Sequence, residues 1–373
     1  MFAENLTPEV LRRVLLPRDQ FHPFPDMRDR AYWTALPDAV RQGLVSAGEA
    51  AMASPWPALP ATLYLDFSRT GARTPYELTY FARRAALCSM VLAECVEGAG
   101  RFLDAIVNAL WSICEESTWV IPAHCGLQKA DSRLPDTSEP VVDLFAGETG
   151  ALVSWTRYLL GSALDAISPL IAPRLASEVQ RRVILPCLSR DDFWWMAGAS
   201  GRASNWTVWT CSNWLTCVLL DEPDPERRVQ AAAKIAGCLN RYADAVPQDG
   251  GCDEGPHYWS YAAASLVDAL DLLAAATQGK LSFYDQPIVR DMVRYIAYAH
   301  ICDRYFVNFA DGPGVLQVDP FLLHRCGRRV QDKDVMSLAA SLAAPGQAPS
   351  GGLFGTLGRV LWSLQEQPLI AAH

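Results

Sequence analysis

A helical periodicity that recurs from Tyr76 to near the C-terminus is the feature that most constrains how this chain folds. The first long helix is apolar on more than one side, and it is predicted to stop near Gly98-Ala99-Gly100, where glycine lets the chain leave the helix. A second helix begins at once with Phe102 and runs to Glu115-Glu116. Such units of helix, short loop and helix continue, and the further predicted helices are 144–160, 175–185, 206–220, 225–242, 258–276, 285–302, 331–343 and 353–365.

Strand patterns are almost missing from the sequence. Alternating Val, Ile or Thr runs bounded by turns hardly occur, apart from short apolar pieces such as 305–309. We therefore predict an all-α protein of stacked helical hairpins. The hairpins differ in sequence, which favours a closed or nearly closed ring of helix pairs over a consensus-repeat solenoid. Helices that are apolar on several sides fit an inner layer covered by an outer one.

The length of 373 residues predicts either two domains or one large repetitive architecture. Residues 1–60 are rich in proline, and Leu11, Val14 and Leu15 lie at helical spacing. They predict a short helix and an extended segment packed over the main body. We assign residues 61–345 to the ring of helices and residues 346–373 to a C-terminal segment, a possible start of a linker to a further domain.

The composition excludes several classes of partner. The formal net charge is −9 and no run of Lys or Arg occurs, so no nucleic acid is expected, although a local Arg-lined site for an acidic sugar remains open. No apolar run is long enough to cross a membrane, and no signal peptide is seen, which predicts a cytoplasmic protein. The eleven cysteines are scattered singly through apolar helices, as buried reduced thiols would be. The six histidines show no metal-ligand spacing, so no metal is expected.

The segment from Asp249 to Tyr261 is the first stretch that could carry chemistry. Two glycines, an acidic pair and Gly255-Pro256 make a tight loop, and the proline presets the backbone for a helix. Tyr258 and Tyr261 are predicted to share a face of its first turn, three residues apart.

A second stretch, residues 204–214, opens another helix after the loop 197–203. Ser204 is a plausible N-cap, and Asn205 then lies where loop meets helix, a place from which an amide can bind a carboxylate. Trp206 and Trp209 follow in the first turns of this helix.

These two stretches together resemble the helical domain of heparinase II/III-type polysaccharide lyases. The resemblance rests on an Asn-Trp helix start at Asn205 followed by Asp249-Gly-Gly-x-x-Glu254-Gly-Pro-x-Tyr258-Trp259. Three further segments also resemble this family, namely residues 111–124, 143–150 and 306–312. The resemblance covers most of residues 70–320 in the same order.

What the resemblance implies is an incomplete (α/α) toroid that binds an acidic oligo- or polysaccharide and cleaves it by β-elimination, without a metal or organic cofactor. It implies that Asn205 neutralises the uronate carboxylate and that Tyr258 is the general acid, the general base or both. Family members generally continue into a β-sandwich domain, and this chain has no strand pattern for one, so that domain is expected to be missing.

The chemistry explains these residue types. Removal of the C5 proton of a uronate is difficult while its carboxylate keeps its charge, so a hydrogen bond from Asn205, with His124 or Arg202, would stabilise the negative charge of the transition state. Tyr258 then moves protons if cationic surroundings lower its pKa. Further contacts to the sugar are predicted for the side chains of Trp206, Trp209, Arg202, Glu254, His257 and Tyr261.

Two alternatives remain open from the sequence. A toroidal glycoside hydrolase would work through two carboxylates, drawn from Asp249, Asp253, Glu254 and Glu116. A non-catalytic toroid would bind the sugar without cleaving it.

Overall fold

The computed structural model describes residues 1–130, 133–198, 202–344 and 346–370. It is 65% helix and 2% strand, which confirms the predicted all-α class. The α-helices are α1 (Phe2–Asn5), α2 (Pro8–Val14), α3 (Arg30–Ala35), α4 (Asp38–Ala53), α5 (Ala61–Thr70), α6 (Thr74–Glu97), α7 (Leu103–Cys114), α8 (Leu144–Ile167), α9 (Ile171–Val179), α10 (Leu185–Ser189), α11 (Asn205–Asp221), α12 (Pro225–Ala245), α13 (Ala263–Ala276), α14 (Pro287–Tyr298), α15 (Pro320–Arg329), α16 (Lys333–Leu342) and α17 (Leu357–Ile370).

Shorter elements link these helices. A π-helical segment, Gln180–Ile184, joins α9 to α10, and two strands, β1 (His300–Cys302) and β2 (Tyr305–Phe306), pair antiparallel. The 3-10 helices are Arg18–Gln20, Pro122–Leu127, Trp194–Met196 and Pro256–Ser260. No helix in the described ranges has the length and apolar character needed to cross a membrane.

Five helices pack in a closed cycle of contacts. α8 contacts α11, α11 contacts α13, α13 contacts α15, α15 contacts α17, and α17 returns to α8. α6 also packs against α8. Four further helices each pack against the cycle helix that comes just before them in the sequence: α9 against α8, α12 against α11, α14 against α13 and α16 against α15. The helices of the cycle therefore form one set, and α6, α9, α12, α14 and α16 form a second set that contacts it.

Burial patterns give the physical reason for the two sets. In α11, 15 of the 17 residues are buried, as expected of a helix covered on all sides. In α14 only Val289, Met292, Val293 and Ile296 are buried, and this spacing forms one apolar stripe along the helix. The prediction that some helices are apolar on more than one side holds for α11.

The N-terminal region is more helical than predicted. Residues 1–60 contain α1 to α4, and the part expected to be extended includes the 16-residue helix α4. Val40, Leu44 and Gly48 are buried along one side of α4, which packs against α6. The proline-rich surroundings hide this stripe in the sequence. The domain boundaries proposed above stay predictions.

Three other sequence-based expectations need correction. The helix expected from Tyr258 begins at Ala263, because residues Pro256–Ser260 form a 3-10 helix. The helix expected to reach residue 302 ends at Tyr298, and His300–Cys302 pairs with β2 instead. Helix α15 was not predicted. Its start is marked by Asp319, whose carboxylate accepts hydrogen bonds from the N–H groups of Phe321 and Leu322.

All eleven cysteines lie within the described ranges and are free thiols. Eight of them are buried, which fits their predicted role as small apolar residues in the core. Cys302, on β1, is exposed.

Two glycine substitutions test the packing of α4 on α6. A Cβ at Gly48 would lie 2.3 Å from the Ala93 Cβ and 3.1 Å from the backbone oxygen of Ser89, so Gly48→Ala is expected to lower the free energy of unfolding by about 1–3 kcal/mol. Gly161 lies in α8, and a Cβ there would have no described atom within 4 Å beyond its own helix backbone and chain neighbours, so Gly161→Ala is expected to raise this free energy by about 0.5–1 kcal/mol. Urea denaturation of both variants measures the difference. Equal changes in the free energy of unfolding for the two variants would contradict the close approach of α4 and α6.

Candidate functional site

The candidate site lies where several helix starts meet. A second hydrophobic cluster, separate from the main core and here called the aromatic cluster, contains residues from the first turns of α6, α8 and α11. Its buried members are Tyr64, Tyr76, Tyr80, Phe81, Ile121, Leu144, Phe145 and Trp209, with Trp206, Tyr261 and Phe354 among the partly buried residues packed against them. Residues far apart in the sequence are therefore gathered in one cluster.

Asn205 is the first residue of α11. Ser204 caps this helix as predicted, in a capping box with Thr207. Asn205 is 6% exposed, and its Nδ2 donates a hydrogen bond to Glu254 Oε2 at 2.9 Å. Its Oδ1 is buried and has no hydrogen-bond partner among the described residues. The amide thus joins the two stretches on which the resemblance rests and keeps unused hydrogen-bonding capacity.

Glycine shapes the loop that carries Glu254. Gly250 and Gly255 have φ values of 74° and 94°, a region that disfavours other residues. A Cβ at Gly250 would lie 2.2 Å from the backbone carbon of Asp291, and one at Gly255 would lie 2.7 Å from the Phe309 oxygen. The glycines therefore let this loop pack closely on its neighbours, with Glu254 beside α11.

Tyr258 is half-buried in the 3-10 helix after this loop. Burial raises its pKa, and the carboxylates of Glu254 and Asp311 raise it further, against a smaller opposite effect of Arg73. The condition given above, a Tyr258 pKa lowered by cationic surroundings, is therefore not met in the free protein. In the free protein the phenol holds its proton at neutral pH, which suits a general acid.

Burial also raises the pKa of Glu254. The negative charges of Asp253 and Asp311 add to this increase, and the hydrogen bond from Asn205 opposes it. The carboxyl of Glu254 therefore takes up a proton more readily than an ordinary glutamate.

His124 lies in the 3-10 helix Pro122–Leu127, and its Nδ1 is 2.7 Å from Asp143 Oδ2. Asp143 is fully buried, and its Oδ1 accepts a hydrogen bond from Ala146 N at the start of α8. The His124 ring is parallel to Phe145 at 5.7 Å and packs against Trp206 at 4.5 Å between ring centroids. Asp143 therefore orients the imidazole, a role that sequence reasoning missed because nothing in the local pattern pairs it with a histidine 19 residues earlier.

The aromatic side chains predicted to bind sugar divide into two groups. Trp209 is buried, donates its Nε1–H to the Glu148 carboxylate and stacks on Tyr261, with ring centroids 4.3 Å apart. Tyr261 thus covers one face of Trp209. Trp206 is partly buried and lies between His124 and Trp194. The rings of Tyr261 and Trp206 are therefore the ones that reach the surface.

Arg202 and His257 lie further out. Arg202 Nη2 is 3.2 Å from Asp253 Oδ2, and both side chains are largely exposed. His257 is exposed, with its ring edge on Tyr258 at 5.4 Å between centroids. A cavity of about 240 Å³ borders His257 and Tyr261 and extends to Phe354. Residues 199–201 of the loop predicted before Ser204 lie outside the described residues.

The carboxylates considered for a hydrolase are dispersed. The Glu116 side chain is 7% exposed and pairs with Arg83 and Arg84. Asp249 accepts a hydrogen bond from Gly251 N within its own turn. Of these four carboxylates, Asp253 and Glu254 lie beside Asn205, in the loop that Asn205 contacts. Within the described ranges, no group of three or more His, Cys, Asp and Glu side chains is arranged to hold a metal ion.

A comparison of two helix caps tests the role of Asp143. Asp143→Ala is expected to remove the cap of α8 and to leave His124 without its partner, so its cost in unfolding free energy should exceed that of Asp224→Ala by about 1–3 kcal/mol. Asp224 is the matched control, because its carboxylate caps the solvent-facing start of α12 and binds no histidine. Denaturant unfolding measures both costs, and NMR of the imidazole nitrogens reports the tautomer of His124. Equal costs and an unchanged tautomer would contradict the pairing.

No protein-family model matches this sequence, and a search of curated proteins likewise gives no match.

Proposed function

We propose that this chain is a lyase that cleaves uronic-acid-containing oligo- or polysaccharides by β-elimination. We further propose that the cycle of α8, α11, α13, α15 and α17 is the inner layer of an incomplete (α/α) toroid, with the aromatic cluster at the sugar-binding end. The observation that carries the proposal is the hydrogen bond between Asn205 and Glu254, since it unites two segments 49 residues apart that contain the required amide and phenol.

Asn205 would bind the carboxylate of the sugar. Its amide nitrogen has two hydrogens, of which one is donated to Glu254. The second is available to a ligand oxygen. A hydrogen bond there strengthens as C5 loses its proton and charge moves onto the carboxylate, so it favours the transition state over the ground state.

His124 and Tyr258 would share the proton transfers. A neutral His124 that donates its Nδ1–H to Asp143 presents Nε2 as a base, which would take the C5 proton. The electron pair of the C5–H bond forms the C4–C5 double bond, the C4–O4 bond breaks, and the phenol of Tyr258 donates its proton to O4. The raised pKa of Tyr258 supports this assignment as acid rather than base. Exchange with water then restores both side chains.

Tyr261 and Trp206 would supply the apolar surface for the sugar rings. The ring of Tyr261 is fixed by stacking on Trp209, which is itself held by Glu148. A rigid aromatic face loses little conformational entropy when it binds a ligand. These contacts would position C5 and O4 for the two proton transfers.

A glycoside hydrolase is the second candidate, and the raised pKa of Glu254 favours it. A protonated Glu254 would act as general acid, and Asp253 or Asp311 would be the second carboxylate. The products distinguish the two reactions, because elimination forms an unsaturated uronate that absorbs ultraviolet light and hydrolysis does not. A non-catalytic toroid would bind the sugar without forming either product.

Substitution of the proposed acid tests the lyase directly. Tyr258→Phe removes the proton donor and is expected to lower the rate of formation of the unsaturated product by about 10²–10⁴-fold, measured by ultraviolet absorbance with oligouronide substrates. Tyr298→Phe, at a highly exposed tyrosine in the last turn of α14, is the matched control and should leave the rate unchanged. Full turnover by the Tyr258 variant, or a saturated product from the unsubstituted chain, would contradict the mechanism.

A further inference from the structure

Negative charge collects beside Tyr258, and the proposed reaction does not explain it. Glu254 is partly buried, and Asp253 precedes it in the same loop. Asp311 is exposed in the loop after β2 and acts electrostatically on both Glu254 and Tyr258. Three carboxylates from two loops therefore surround the region in which a leaving sugar would meet the phenol.

Backbone packing brings these two loops into contact. A Cβ added at Gly255 would lie 2.7 Å from the Phe309 oxygen and 3.6 Å from the nitrogen of Gly312. Glu254 immediately precedes Gly255, and Asp311 immediately precedes Gly312. The two carboxylates are thus carried next to a tight backbone contact, at the start of the 3-10 helix that follows Gly255.

The cations near these carboxylates compensate them incompletely. Arg202 Nη2 is 3.2 Å from Asp253 Oδ2, but the Arg202 side chain is 86% exposed, and such surface pairs are weak because water screens them. Arg73 acts on Tyr258 less strongly than either Glu254 or Asp311 does. An excess of negative charge therefore remains for a ligand to neutralise.

A buried acceptor faces the same region. Asn205 is more than nine-tenths buried, and its Oδ1 has no hydrogen-bond partner among the described residues. Oδ1 shares one carbon atom with Nδ2, which is bonded to Glu254, so it lies beside that carboxylate as well. Unpaired buried polar atoms are rare in proteins and call for a ligand or water. An acceptor beside carboxylates calls for a donor that carries positive charge.

An ammonium group suits this set of oxygens better than a metal ion. Within the described ranges, no group of three or more His, Cys, Asp and Glu side chains is arranged to hold a metal. Calcium and magnesium need several oxygen ligands at once, at short and similar distances. An ammonium group carries three N–H donors and binds separated acceptors one by one.

We propose that the acidic region formed by Asp253, Glu254, Asp311 and Asn205 Oδ1 binds the ammonium group of an unacetylated 2-amino sugar. This sugar is joined through its C1 to O4 of the uronate, and it departs with O4 in the elimination. The inference rests on the proposed function, because it takes O4 to be held at Tyr258.

The chemistry of the linkage places the amino group correctly. Only the carbon atoms C1 and C2 separate O4 from the amino nitrogen of such a sugar. When Tyr258 donates its proton to O4, the ammonium group therefore lies close to the carboxylates that act on Tyr258. Its positive charge also offsets the repulsion between these carboxylates and the carboxylate of the uronate.

Titration calorimetry of the full chain carrying Tyr258→Phe, which slows turnover, tests the proposal. Two tetrasaccharides of alternating uronate and 2-amino-2-deoxyhexose are compared, one with free amino groups and one with acetylated amino groups. At mildly acidic pH the free amines are charged. We expect the free amine to bind about 10–100-fold more tightly, as for hydrogen bonds between charged groups.

Substitutions in the same background locate the preference. Asp311→Asn is expected to reduce it by about 2–5-fold, since Asp311 is exposed, and the added substitution Glu254→Gln should remove most of the remainder. Asp104→Asn is the matched control and should retain the full preference. Asp104 is exposed in the first turn of α7, just after the end of α6, whereas the start of α6 belongs to the aromatic cluster.

The outcomes separate this inference from the proposed function. Equal affinities for the two tetrasaccharides would overturn the inference alone, as would a preference that survives Asp311→Asn combined with Glu254→Gln. Binding of calcium in the absence of sugar, if lost in that double variant, would overturn the ammonium assignment in favour of a metal site. If neither tetrasaccharide binds, and the unsubstituted chain forms no unsaturated product from any oligouronide, the proposed function fails as well.

Discussion

The hydrogen bond from Asn205 Nδ2 to Glu254 Oε2 is the contact on which the rest of the site depends. It ties the start of α11 to the glycine-rich loop before α13, two helices that are neighbours in the closed cycle of contacts. Without it, a buried amide and a partly buried carboxyl would each lack a partner, at a cost of about 1–3 kcal/mol for each unsatisfied group. The same hydrogen bond therefore contributes to stability and holds together the two segments of the candidate site.

Buried charge fixes the other side of this loop. Arg359, in α17, donates from Nη2 to the backbone oxygen of Ser260 and from Nε to Asp268 in α13, each at 2.7 Å. Asp268 also pairs with Arg325, in α15. Removal of one member of this network would leave an uncompensated charge in the interior. Through these contacts α13, α15 and α17 together hold the 3-10 helix that carries Tyr258. This network therefore supports the segment that carries the phenol proposed as the general acid.

Much of the helical architecture could be predicted from the sequence, because helices such as α6, α8 and α11 are long and apolar. A glycine stop at Gly98 also marks the end of α6, and the Ser204 cap marks the start of α11. The 3-10 helix Pro256–Ser260 could not. Its backbone is decided by distant contacts, such as the bond from Trp259 Nε1 to Met292 O and the approach of Gly255 to Phe309.

The resemblance to a lyase family named Asn205 and Tyr258 as site residues, and that assignment stays a prediction. The direction of the Tyr258 pKa could not be read from the sequence, because it is raised mainly by burial, with Glu254 and the sequence-distant Asp311 adding to the increase. The pairing of Asp143 with His124 could not be predicted from the sequence either. Its carboxylate orients His124 only because the 3-10 helix Pro122–Leu127 folds back against the start of α8. Pairings of this kind belong to tertiary structure and leave no periodic signal.

The most direct test of the central claim is the structure of the Tyr258→Phe variant with an oligouronide bound. We predict that one carboxylate oxygen of the sugar lies about 2.7–3.2 Å from Asn205 Nδ2, with the sugar ring against Tyr261 and the O4 atom facing position 258. A sugar bound elsewhere on the protein, or bound at this face with its carboxylate turned away from Asn205, would contradict the account.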